Sequence, residues 1–170
     1  MSVREHLLQY TAVAIGGRGL LIGGAPGAGK TSLALCLIDR GAVLIGDDGV
    51  ALNVKDGWLH AAPPHATAGK LELRNVGIAR LPCTAAPVAL SMAIDPNAPR
   101  FVERAQNCCI LGIEMPHIRI AIGRGGPNLA DVIRVERAIA MHGETRDAAR
   151  DPTVPGFHDW EKRACSAVHD

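Results

Sequence analysis

Gly24-Ala25-Pro26-Gly27-Ala28-Gly29-Lys30-Thr31 is the stretch on which the reading of this chain turns. It satisfies G-x-x-x-x-G-K-[ST], a loop whose backbone N–H groups cradle phosphates, provided that a strand precedes it and a helix follows. Both conditions are met in the sequence. Residues 11–15 and 19–22 are short apolar runs around Gly16-Gly17-Arg18 and predict a β-hairpin leading into the loop. Residues 31–40 carry Leu33, Leu37 and Ile38 at helical spacing, and Gly41 is a natural stop. The last glycine of the loop is followed by Lys-Thr, for which a mere strand-to-helix turn has no packing use.

In that setting small residues let successive amides point at phosphate oxygens, and the following helix adds the partial positive charge of its N-terminus. Gly24, Ala25, Pro26, Gly27, Ala28, Gly29, Lys30, Thr31 and Ser32 are the expected nucleotide-binding residues. Lys30 supplies a point charge near the terminal phosphates, and the Thr31 hydroxyl suits Mg²⁺.

Downstream, residues 43–45 read as a buried strand ending at Gly46-Asp47-Asp48. In an open α/β sheet such a position lies at the carboxyl edge, beside the phosphates. One carboxylate there can accept a hydroxyl proton while its neighbour holds Mg²⁺; Asp-Asp-Gly is equally ordinary turn chemistry. Residues 50–54 and 58–61 flank Lys55-Asp56-Gly57 as a second hairpin, and 61–69, with Pro63 and Pro64, reads as a loop. Strands are expected at 88–94 and 117–122, and an amphipathic helix runs from Asn128 to about His142, its apolar positions Leu129, Val132, Ile133, Ile139 and Ala140.

Whole-chain properties narrow the function classes. The 170 residues are 48% apolar, enough for one domain with a core, here residues 1–142, followed by a charged tail, 143–170, that reads as peripheral or partly disordered. The net charge of +1, the scattered basic residues and 3% aromatics argue against a nucleic-acid surface. The five cysteines lack paired spacing, so reduced thiols in a cytosol are expected, and Cys108-Cys109 read as small buried apolar residues. No stretch reaches the roughly 20 apolar residues that span a bilayer, so no membrane is expected. The histidines form no helix-spaced metal pair.

The loop, the run Leu35-Cys36-Leu37-Ile38-Asp39-Arg40-Gly41-Ala42-Val43-Leu44-Ile45-Gly46-Asp47-Asp48, and Leu71-Glu72-Leu73-Arg74-Asn75-Val76-Gly77-Ile78 together resemble the catalytic domain of bacterial HPr kinase/phosphorylase. The resemblance spans roughly residues 9–141 and looks like a short form without the family's N-terminal domain. It implies a single α/β P-loop domain with a mixed, curved sheet, resembling the nucleotide-binding core of phosphoenolpyruvate carboxykinase. It also implies a cytoplasmic, Mg²⁺-dependent kinase that moves phosphate from ATP, or in some members pyrophosphate, to a serine of the phosphocarrier HPr. Phosphorolysis of that phosphoserine and assembly into a homo-oligomer, a hexamer in full-length members, come with the resemblance. By position, Lys30, Asp47 and Asp48 are its catalytic residues, and Thr31, Asp48 and Glu72 its metal ligands. Without the resemblance Glu72 is an ordinary solvated strand or turn residue.

The sequence also departs from the family. Gln9 stands where a catalytic histidine is expected, with His6 three residues earlier as a stand-in; Pro26 replaces a serine, Ser32 an acidic residue, and Pro127 an arginine for which Arg124 is the nearest substitute. Two further readings follow from these changes: a kinase of the same fold acting on a peptide or small molecule, and a nucleotide-sensing module that has lost transfer.

Overall fold

A computed structural model describes residues 5–144. Most of the C-terminal tail read from the sequence, residues 145–170, lies outside the described residues.

Thr11–Ile15 (β2) and Arg18–Gly24 (β3) form the first hairpin around Gly16 and Gly17, whose φ of 57° and 75° are the left-handed angles of a tight two-residue turn. Along β2, Ala12 and Ala14 point to one side of the sheet and Val13 and Ile15 to the other; along β3, Leu21 opposes Leu20 and Ile22 in the same way. All seven are buried, because both faces of this sheet are covered. One face carries the helices Lys30–Asp39 (α1) and Leu129–His142 (α2). The other packs against the hairpin of Val50–Lys55 (β5) with Trp58–Ala62 (β6), and against Ile110 and Met115. The sheet curls around this second cluster.

Ala86–Ile94 (β9) is the strand about which the rest is ordered. It runs parallel to β3 on one side; on the other, its first residues pair antiparallel with β6 and Ser91–Ile94 pair parallel with Ile113–Ile120 (β11). Val43–Gly46 (β4) lies beyond β2 and antiparallel to it, hence parallel to β3. His6–Leu8 (β1) closes one end of the nine-stranded mixed sheet against β5, and Gln106–Ile110 (β10) pairs with β11. Lys70–Leu73 (β7) and Gly77–Arg80 (β8) form a separate two-stranded hairpin.

These directions position the site. β3, β4, β9 and β11 end at one edge of the sheet, and β2 starts there.

Four sequence expectations need correction. β1 and β10 were not expected: β1 is three residues long, and Gln106-Asn107 give β10 a polar start. The strand expected at 117–122 runs instead from Ile113 to Ile120, with Pro116 facing Asn107 on its paired side. Cys109 is exposed and Cys108 half-buried, because β10 has β11 on one side only. On α2 the buried stripe is Asp131, Val132, Val135, Ala138 and Ile139, while Leu129 and Ile133 are exposed.

Candidate functional site

Residues 24–31 leave β3 at its carboxyl end and turn into α1. Gly24, Gly27 and Gly29 hold φ of 142°, 76° and 99°, angles that side chains disfavour, so the loop's curvature depends on these three positions. At Gly29 a methyl group would also sit 2.9 Å from Ile122 Cδ1. The loop therefore packs closely against Ile122 at Gly29.

The N-terminus of α1 has no side-chain cap and no acidic residue in its first turn. α2 is the contrast: Asn128 and Asp131 exchange side-chain-to-backbone hydrogen bonds of 3.0 Å in a capping box. The first amides of α1 are thus left for an external acceptor, the arrangement of an anion site. Lys30 bends back over the loop and its Nζ donates to the Gly24 and Ala25 carbonyls, both at 3.0 Å. Ala25 and Pro26 lie exposed on the loop and Ser32 on the helix, while Ala28 is half-buried.

Across the edge, Asp47 follows β4. Its Oδ1 accepts hydrogen bonds from the Thr31 hydroxyl at 2.8 Å and from the buried Thr11 hydroxyl at 3.0 Å. Both bonds fall on one oxygen, which leaves Oδ2 for a proton or a metal ion, and Thr31 Oγ1, having donated its hydrogen, keeps lone pairs for a cation. Asp48 is exposed on the turn with φ 57°. Glu72 is exposed on the β7–β8 hairpin, and the structure does not gather it with the two aspartates: no group of three His, Cys, Asp or Glu side chains suited to a metal occurs among the described residues. Mg²⁺ fits such a site, since it is commonly held by one or two protein oxygens, water and the substrate's phosphates.

Gln9 is exposed between β1 and β2, near the Asp47 turn, because Leu8 pairs with Val50 just beyond it. His6 pairs with Leu52, two positions further along β1, and does not stand in for a group at Gln9.

Arg124, raised in the sequence only as a substitute, lines a cavity of about 220 Å³ on the far side of β3 from Asp47. Gly27, Ala28 and Gly29 form one wall; Ile94, Pro96, Ile122, Gly123 and Gly126 complete it. The loop that carries Arg124 is clamped by α2. Arg134 donates to the Ala121 carbonyl at 3.0 Å and pairs with Asp131, whose carboxylate also receives the backbone N–H of Gly123. Burial pushes the Asp131 carboxyl up, but the Asn128, Gly123 and Arg134 donors outweigh it and hold it below its ordinary value. Nothing in the periodicity of α2 marked Asp131 for this work.

Residues 4–82 match the family described as HPr Serine kinase C-terminal domain. The HPr kinase/phosphorylase of Clostridium novyi is 44% identical over 78 residues, 46% of this chain and 25% of that protein. The protein of the same name from Clostridium botulinum (strain Eklund 17B) is 45% identical over 74 residues, 44% of this chain and 24% of the relative. The solved Hpr(Ser) kinase/phosphatase from Coxiella burnetii superposes with a TM-score of 0.67 at 26% identity, covering 79% of this chain and 98% of that one. Over this stretch the chain is similar to the HPr kinase/phosphorylase family. Its matched stretch spans about a quarter of the length of these Clostridium relatives. Residues 24–31, Asp47, Asp48 and Glu72 fall inside the stretch that the family model matches, and the Arg124 loop falls outside it. Among the described residues no helix is long and apolar enough to cross a membrane.

Proposed function

We propose that this chain is a Mg²⁺-dependent protein-serine kinase that transfers the terminal phosphate of ATP to a serine of an HPr-like phosphocarrier protein, with phosphorolysis of the phosphoserine as its reverse partner. The observation that carries this reading is the 2.8 Å bond from Thr31 to Asp47, which ties the end of a phosphate-type loop to a carboxylate at the same sheet edge.

Residues 24–32 bind the polyphosphate through backbone amides, and Lys30 neutralises charge on it. Thr31 and Asp47 would hold Mg²⁺, which when bound offsets the negative charge shared by the β- and γ-phosphates. Asp48, exposed on the turn, is open to a protein substrate in this reading; there it accepts the seryl proton as the serine oxygen bonds to phosphorus and ADP departs. Glu72 joins the metal from the β7–β8 hairpin in this reading, a placement that requires the hairpin to close. The compartment is the cytoplasm, and a homo-oligomer, a hexamer as the family resemblance implies, is the expected assembly.

The test is purified chain with Mg²⁺-ATP and an HPr-like protein, followed by intact mass. One added phosphate on a serine is expected with the native chain and none with Lys30→Ala. An unmodified acceptor alongside tight nucleotide binding would favour the nucleotide-sensing alternative, and labelling of other acceptors in extract a different substrate.

A further inference from the structure

We infer that the outward face of α2 is a docking surface, and that its occupant is the segment 154–161 of the same chain, seated through Phe157 and Trp160.

The face is defined by what α2 leaves uncovered. The helix buries Asp131, Val132, Val135, Ala138 and Ile139 against the sheet, and a helix of this kind ordinarily turns a charged side to water. Here the outward side is apolar along its middle. Leu129 is 63% and Ile133 40% exposed, one turn apart on the same side, and Ala140 falls on that line two turns further. Polar contacts hold this pair outward: Asp131 is drawn in by Asn128, Gly123 and Arg134, which fixes the rotation of the helix. Two adjacent apolar side chains are thus presented to solvent by an element whose orientation is set elsewhere.

The occupant follows from the chain that continues past Glu144. Of its two phenylalanines and two tryptophans, one of each stands at 157 and 160, close enough in sequence to meet Ile133 and Leu129 together. Reach is ample. The 14 residues of α2 extend about 21 Å, whereas residues 145–157 can span up to about 43 Å when extended. Charge agrees as well, since residues 151–161 carry Asp151, Asp159 and Glu161 with no lysine or arginine, and α2 sets Arg134 and Arg137 beside Ile133. A second copy is the poorer occupant. A stable dimer buries roughly 800 Å² on each partner, far more than two side chains offer. A tethered segment needs no such area, because a short linker holds it at an effective concentration of about millimolar.

The place of the surface gives the contact its consequence. Leu129 and Ile133 belong to the same first turns of α2 from which Asp131 and Arg134 grip residues 121–123, so a docked segment braces the loop that carries Arg124.

Fluorescence of the full chain tests this. Trp58→Phe leaves Trp160 as the single tryptophan. Its emission is expected to the blue of free tryptophan and to be shielded from acrylamide. Ile133→Asp or Leu129→Asp in that background should shift it to the free value with the circular dichroism unchanged, whereas Val54→Asp, at an exposed apolar position on β5, should leave it alone. A thermal-melt cycle in the native tryptophan background gives an independent reading. Ile133→Ala and Phe157→Ala should each lower Tm, and the double variant should lower it no further than the larger single change. Emission of Trp160 at the free value, blue emission untouched by both aspartate variants, or additive losses in the cycle would overturn the docking. Blue emission that disappears on dilution, as light scattering shows the mass halving, would overturn the choice of occupant in favour of a second copy.

Discussion

At Asp47 two hydroxyls from distant parts of the chain meet one carboxylate oxygen. Asparagine in its place keeps an oxygen acceptor for Thr11 and Thr31 but loses the charge, so Asp47→Asn is expected to fold normally and to need more Mg²⁺. Asp48→Asn is expected to leave the Mg²⁺ requirement unchanged and to lower kcat by about 10²–10⁴-fold, as loss of a general base does. Mg²⁺ titrations of the transfer rate separate the two. The acidic pair was legible from its place after a short apolar strand, whereas the part played by Thr11, 36 residues earlier, was not. A second residue-scale expectation concerns His117, half-buried with its Nδ1 3.0 Å from Ser91 Oγ. Burial, with the nearby Arg119 charge, holds its imidazole below the ordinary value. The unfolded chain therefore takes up the proton first. This contribution to stability is complete above about pH 6.5 and is lost as pH falls toward the depressed folded value. Thermal melts between pH 8 and pH 5 should show the native chain losing more stability than His117→Gln.

Among the elements, α2 carries the most consequence for the site. Its capping box fixes where the helix begins, and Asp131 and Arg134 in its first two turns hold the loop before it. Asn128→Ala should cost about 1 kcal/mol, a fall of about 2–4 °C in Tm by scanning calorimetry. The extent of α2 was readable from its spacing, but its buried face was rotated from the one expected. Leu129 and Ile133 lie outward because Asp131, a residue that ordinarily faces water, is drawn inward by three donors. A hydrophobicity pattern carries no signal for a buried carboxylate whose partners come from another loop. β10 was missed for a related reason. Its sequence has little strand character of its own, and pairing with β11 makes it a strand.

For the molecule as a whole, β9 is the shared member, bonded to β3, β6 and β11. Leu90 sits at its middle, fully buried in the cluster beneath α1 and α2. Leu90→Ala is expected to cost about 2–5 kcal/mol, read from denaturant midpoints, with the secondary structure of the surviving folded fraction unchanged. The sequence by itself determined the hairpin, the phosphate-type loop, the helix after it and the acidic turn, since each is written in contiguous residues whose spacing and backbone freedom act locally. Only the tertiary structure decided which strands share an edge, that Asp47 rather than Asp48 meets Thr31, that Glu72 stands apart from both, and that Arg124 faces the loop across a cavity. Those outcomes depend on strand order and on contacts between residues far apart in the chain, where the free energy of packing the whole sheet, not the preference of any segment, selects the arrangement.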